Sequence, residues 1–230
     1  MDDIAPNGFL TCRGLRFPKD PQVLQGRARR LIRTGEYEAK EAEAALRMVQ
    51  PGDRVLELGA GIGFMSTLVS VKCGAARVDA FEANPQLLPY IARVHAANGV
   101  ETATVHNALL SAMDGPPVPF YLRENFLASS MDRDSEPGTI VGEAQVPQRA
   151  IGPVLADLQP DVLICDIEGA EAHLLPAADL SCLRVAILEL HPQWIGQSGV
   201  QAVFDTFHRA GLTYWPKASH GKVVCFRKGW

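Results

Sequence analysis

The sequence has no hydrophobic run long enough to cross a bilayer. The longest uncharged stretch around its glycine cluster, Leu58 to Val71, is short and broken by glycine. The amino-terminal MDDIAPNGFL is acidic and has neither a basic n-region nor an apolar h-region, so no secretory leader is expected. Cysteines are few and odd in number (Cys12, Cys73, Cys165, Cys182, Cys225), and none are spaced as CxxC. They are expected as reduced, mostly buried thiols of a cytoplasmic protein, without disulfides or zinc. Internal repeats and low-complexity tracts are also absent. What remains, 230 residues with 47% hydrophobic and 21% charged, suits one large globular domain or a domain with an appendage.

The net charge of −4 is unevenly spread. Residues 1–33 carry seven basic residues against three acidic ones, whereas the remainder carries 15 basic and 23 acidic. Residues 1–35 are therefore set apart as a basic amino-terminal extension, expected as a solvated arm or helix face over an acidic body. Residues 36–230 form the main domain.

In that domain short apolar runs alternate with helical stretches. Residues 36–49 are rich in helix formers, with Ala39, Ala42, Leu46 and Val49 at helical spacing. Strands are predicted at 54–59, 77–83, 103–109, 161–168 and 184–190, and helices at 62–72, 85–98, 170–175 and 197–210. Asn84 reads as the N-cap of the second of these helices, with Pro85 at its first position and Gly99 past its end. Residues 212–217 and 222–228 flank the turn ASHG and read as an antiparallel hairpin. Strands alternating with helices imply a doubly wound parallel sheet with an antiparallel edge. Proline-rich residues 110–150 break the rhythm and read as an insertion between the third and fourth core strands, near the mouth of the site.

Between the first strand and its helix lies Glu57-Leu58-Gly59-Ala60-Gly61-Ile62-Gly63. Glycine is needed where the backbone turns sharply and a ligand approaches too closely for a Cβ. The dinucleotide fingerprint would need glycine at position 64, which is Phe64, and a P-loop would need GK[ST]. What is left is ExGxGxG, whose acid suits a ligand with an amino group. Glu82, about twenty residues past the loop, can accept both hydroxyls of a ribose. An amino acid end joined to an adenosine end describes S-adenosyl-L-methionine, with S-adenosyl-L-homocysteine as its product.

The runs VLELGAGIGFMSTLVS, VDAFEANPQLLPYIARVHAANGV, Asn107, Ser129-Ser130, DVLICDIEGAEAHLL and AILELHP resemble the FkbM family of methyltransferases over about residues 36–192. The resemblance implies a Rossmann-like class I methyltransferase fold with a mostly parallel seven-stranded sheet. It also implies O-methylation of hydroxyls on sugars, polyketides and related metabolites. By position, Glu57, Gly59, Ala60 and Gly61 would line the methionine end, and Glu82 the ribose. Ala83, Asn107 and Ala108 would flank the adenine, and Asp166 would lie beside the sulfonium. Where the family often has an aspartate in a TLD-like segment, this chain has Arg149-Ala150-Ile151-Gly152, a departure that bears on the acceptor.

Methylating an alcohol requires an in-line lone pair and a group to take the hydroxyl proton. Ligands of open α/β sheets bind beyond the carboxyl ends of the strands, which selects Asp166, Glu168 and His191 as candidate catalytic residues. In an extended strand Asp166 and Glu168 would face the same side. Glu171 reads as a helix-start carboxylate and His220 as a weaker candidate in its turn. Asp166, Glu168, Glu189 and His191 could in principle gather a divalent metal, but their spacing is not diagnostic of one, and no metal is expected. The expected partner is a small-molecule hydroxyl acceptor, with neither nucleic acid nor membrane. RNA or protein methylation, or donor binding without transfer, are the competing readings; oligomeric state is not legible.

Overall fold

The computed structural model describes residues 8–134 and 137–229; the start of the chain, where no leader is expected, lies outside them. The chain opens with the hairpin β1 (Phe9–Cys12) and β2 (Leu15–Pro18), then helices α1 (Gly26–Thr34) and α2 (Ala39–Met48). Next come β3 (Arg54–Leu58), α3 (Phe64–Leu68, prolonged by a π-turn over Val69–Cys73) and β4 (Arg77–Glu82). Helix α4 (Leu88–Asn98) and β5 (Ala103–Asn107) complete the first half. The insertion follows as β6 (Leu109–Ser111), β7 (Val118–Arg123), β8 (Ile140–Val146) and β9 (Gln148–Ala150). The second half contains α5 (Ile151–Leu158), β10 (Val162–Cys165), α6 (Glu171–Leu174), β11 (Val185–Glu189) and α7 (Pro192–Arg209). It ends in β12 (Thr213–Tyr214) and β13 (Val223–Arg227).

The predicted seven-stranded sheet is present, in the order β12-β13-β11-β10-β3-β4-β5. Strands β11, β10, β3, β4 and β5 are parallel, and β13 pairs antiparallel with both β11 and β12. The antiparallel member of the closing hairpin is thus inserted one place in from the edge. The period-2 pattern explains the two cores. Val55, Val162, Ile164, Val185 and Ile187 pack on the face covered by α1 to α4, and Leu56, Leu163, Cys165, Ala186 and Leu188 on the face of α5 and α7. The basic extension shares the first of these cores through Leu10, Leu15, Phe17 and Ile32, while Arg16, Arg27, Arg29, Arg30 and Arg33 lie on the outside.

Some boundaries differ from those read in the sequence. Asn84 does not cap a helix at Pro85: its Oδ1 accepts the Gln86 N–H at 3.0 Å, its carbonyl accepts Leu87 N, and the helix starts at Leu88. Strand β10 stops at Cys165, so Asp166 and Glu168 do not share a face by extended alternation; Glu168 sits in a turn at φ +51°. Helix α7 begins at Pro192, five residues before the predicted start, and kinks at Gly196. Within the insertion β7 pairs antiparallel with β8, and β6 pairs in parallel with β9.

Candidate functional site

The loop after β3 turns against the next parallel strands. Gly59, at φ +86°, donates its N–H to the Phe81 carbonyl, and a Cβ there would lie 1.9 Å from the Asp166 carbonyl oxygen. Only glycine fits so close to a neighbouring backbone. Two residues on, the Gly61 N–H donates to Glu82 Oε2 at 2.7 Å, while Glu82 Oε1 accepts the Asn84 N–H at 2.7 Å. The carboxylate ending β4 therefore shapes the glycine loop as well as facing the space beyond it. Burial pushes its acid up to about 7, against the lowering effect of those backbone donors.

A Cβ on Gly61 would meet nothing closer than Tyr37 Oη and Leu127 Cδ2, each at 4.0 Å, so the segment leading into α2 and the insertion both reach the loop. Asn107, level with Glu82 on β5, donates from Nδ2 to the Glu82 and Ala83 carbonyls at 2.9 and 3.0 Å. Ala108 is buried behind it. Beside them Phe81 stacks on His106, with Arg149 over its ring. The predicted donor-side residues Glu57, Gly59, Ala60, Gly61, Glu82, Ala83, Asn107 and Ala108 thus gather at the carboxyl ends of β3, β4 and β5.

Glu57 is buried on the first-core face of β3, and its Oε2 has no hydrogen-bond partner. Burial raises its acid to about 8 despite Ser66, which lowers it. A buried carboxylate oxygen without a donor fits a ligand bearing an ammonium group. Glu38, in the left-handed region at φ 42° ahead of α2, is likewise raised well above the carboxylate range by burial, then by Asp166, Glu41 and Glu57.

The second cluster follows from register. Cys165 is paired with Leu58 and with Leu188, which sets Asp166 level with Gly59 on one side and Glu189 on the other. Asp166 Oδ1 is buried and without a hydrogen bond. Burial lifts this acid to about 7, reinforced by Glu189 and Glu168 and opposed by His191. The His191 ring is 4% exposed, with Nε2 3.2 Å from Glu168 Oε2 and 3.7 Å from Asp166 Oδ1. The three predicted catalytic residues therefore do meet, through the turn after β10.

Glu171, read in the sequence as a helix-start carboxylate, has a larger part. It is fully buried, its Oε1 accepting the His191 backbone N–H at 2.9 Å and lying 3.3 Å from His191 Nδ1. Its Oε2 accepts the Gly169 N–H at 2.8 Å. These contacts outweigh burial and hold Glu171 below its usual pKa. Burial disfavours charge on His191, but Glu171, Glu168 and Asp166 prevail and raise it. His220 is exposed and lines a groove with Lys40, Arg47 and Lys217. Tyr37, Glu38, Glu171 and Glu189 were not picked as site residues from the sequence. For Glu189 the signal was present, since it continues the inward positions Val185 and Ile187.

A family model described as the methyltransferase FkbM domain matches residues 57–214. A search of curated proteins finds no relative matching by sequence. Among solved structures the chain resembles precorrin-6y C5,15-methyltransferase from Geobacter metallireducens, at TM-score 0.50 and 14% identity over 84% of this chain and 89% of that one. It also resembles ribosomal protein L11 methylase from Lactobacillus delbrueckii subsp. bulgaricus (0.50, 14%, 85% and 80%). A third is TYW2 of M. jannaschii, in complex with AdoMet (0.50, 14%, 94% and 84%). At such identities these likenesses speak for the fold.

Proposed function

We propose, for a chain that belongs to the FkbM methyltransferase family, that it transfers the methyl group of S-adenosyl-L-methionine to a hydroxyl of a small molecule. One observation carries this reading: Gly59, in the glycine loop, abuts the carbonyl of Asp166, so the loop and the carboxylate–imidazole cluster share a wall. The donor supplies an activated methyl on a sulfonium, and S-adenosyl-L-homocysteine is left after transfer.

On the protein side, Glu57 offers its unpaired oxygen to the donor's ammonium, and Gly59, Ala60 and Gly61 bring backbone alongside the methionine end. Glu82 faces the ribose hydroxyls. Ala83, Asn107 and Ala108 border the adenine. Asp166 places negative charge beside the sulfonium, and Glu168 and His191 lie where an acceptor would approach. The acceptor oxygen attacks the methyl carbon, the C–S electron pair returns to sulfur, and the hydroxyl proton passes into the Asp166–Glu168–His191 group. Holding the two reactants in line can supply about 7–11 kcal/mol of the barrier. The five cysteines are free, four of them buried, which supports a reducing compartment, the cytoplasm. Among the described residues no helix is long and apolar enough to cross a membrane.

The test is calorimetry with S-adenosylmethionine and S-adenosylhomocysteine, followed by release of S-adenosylhomocysteine in the presence of a panel of hydroxylated acceptors. Binding and acceptor-dependent release bear the reading out. No heat with either compound, from a protein shown to be folded, overturns it.

A further inference from the structure

We propose that Asp166, Glu189 and His191 bind one divalent cation, of the Mn²⁺ class, which holds and acidifies the acceptor hydroxyl. The inference rests on the reading of this cluster as the acceptor side of the site. The sequence offers no metal-binding spacing; the sheet creates the arrangement. Cys165, the last residue of β10, is level with Leu188 of the parallel β11, so Asp166 and Glu189 follow side by side, and His191 comes two residues on. One ligand atom from each of the three lies within 4.8 Å of the others. A cation bonded at about 2.0–2.6 Å keeps its ligand atoms about 3–5 Å apart, so these side chains need little adjustment to close on it.

The imidazole is the second, independent observation. The His191 ring is 4% exposed and is flanked by carboxylates at both nitrogens, 3.3 Å from Glu171 at Nδ1 and 3.2 Å from Glu168 at Nε2. Yet Nδ1 is buried without an aligned hydrogen bond. A buried carboxylate behind one ring nitrogen, with the other turned to a pair of carboxylates, is the arrangement that orients a histidine toward a metal. On the other side of the ring Asp166 Oδ1, buried and without a hydrogen bond, lies 3.7 Å from Nε2. Two oxygens and one imidazole nitrogen favour a cation of intermediate hardness, and three protein ligands leave positions open for an acceptor. A hydroxyl bound to such a cation loses its proton far more readily than a free one. Glu168, outside the ligand set and more than half exposed, is then the carboxylate free to take that proton as the oxygen–methyl bond forms.

The experiment is titration with Mn²⁺ alone, followed by electron paramagnetic resonance, on the full chain and on Glu189→Gln. Calorimetry with S-adenosylhomocysteine and circular dichroism accompany it. The expected result is one bound Mn²⁺ in the native protein, with affinity falling about 10–100-fold in Glu189→Gln while S-adenosylhomocysteine binding is kept. Pulsed resonance on the native protein supplies a readout that needs no variant: coupling to one imidazole nitrogen is expected. Absence of Mn²⁺ binding, unchanged affinity in a folded Glu189→Gln protein, or no nitrogen coupling each overturns the site. Mn²⁺ bound with nitrogen coupling by a protein that ignores S-adenosylhomocysteine would preserve the metal site and sink the methyl-donor reading instead.

Discussion

Glu171 and His191 are joined twice, once through the histidine backbone and once beside its ring: one carboxylate oxygen accepts the N–H at 2.9 Å and lies 3.3 Å from Nδ1. The other oxygen accepts the Gly169 N–H. Glu171→Gln must therefore set an amide NH₂ against one of two backbone donors, and Glu171→Ala leaves both unpaired. Each unsatisfied buried donor costs about 1–3 kcal/mol. Both variants are expected to unfold at lower denaturant than the native protein, with the alanine variant lower still. Native-like midpoints for both would show that the contact carries no structural weight.

The glycine loop separates two effects that substitution usually confounds. In Gly59→Ala the new methyl would sit 1.9 Å from a main-chain oxygen, at a φ that L-residues avoid. Overpacking of about 1–3 kcal/mol adds to left-handed strain of about 1–2 kcal/mol, so a loss of stability of about 2–5 kcal/mol is expected. In Gly61→Ala the methyl meets nothing closer than 4.0 Å and projects into the cradle. This variant should lose only the strain, about 1–2 kcal/mol, yet bind S-adenosylhomocysteine at least about tenfold more weakly. Chemical denaturation and calorimetry on both proteins check the contrast; equal stabilities would contradict it.

The core strands were legible because strands covered on both faces must be apolar throughout, and VLEL, VLIC and VAILE could be little else. Local punctuation misled where two structures use the same residues. Asn84-Pro85 suits a helix cap and an Asx turn equally, and the turn won. In α2 the expected stripe through Leu46 is displaced: Leu46 is 46% exposed, and Ala42, Ala45 and Met48 face the core. Within the site, the glycine loop is legible because it follows directly on an apolar strand and its glycines take positive φ. The part of Glu171 depends on a partner 20 residues away, and Glu189, although its alternation with Val185 and Ile187 is visible in the sequence, meets Asp166 only through the register of β10 with β11. The contribution of Tyr37, from the turn ahead of α2, also depends on tertiary packing.

The pH dependence of stability follows from Glu57. Its acid is raised to about 8 in the folded protein, above the ordinary carboxylate value that the unfolded chain retains. Near pH 4 both states hold the proton and Glu57 is neutral to stability. As pH rises from about 4.5 the unfolded chain releases the proton first, so stability falls until the folded carboxyl also ionises near pH 8. The slope is up to about 1.4 kcal/mol per pH unit for one group. Glu57→Gln should remove it, so that the variant gains on the native protein between pH 5 and 8 and matches it near pH 4. Denaturation at four pH values decides, and parallel curves would refute the assignment.

Glu82 and His191 should fail in different ways. Glu82 accepts the backbone N–H of both Gly61 and Asn84, and Glu82→Gln can satisfy only one of them through its single carbonyl. Losing a hydrogen bond to a charged group costs about 1.5–3 kcal/mol, enough to weaken S-adenosylhomocysteine binding at least about tenfold as the loop relaxes. His191 lies beyond Asp166, away from the loop, so His191→Ala should hold S-adenosylhomocysteine within about threefold of the native protein. Its loss falls on turnover, by about 10²–10⁴-fold, since the group that handles the acceptor proton is broken. Donor affinity and single-turnover rate measured on the same two variants distinguish the roles. Equal weakening of donor binding in both would mean that the two halves of the cleft are not divided as proposed, with Asp166 as the boundary.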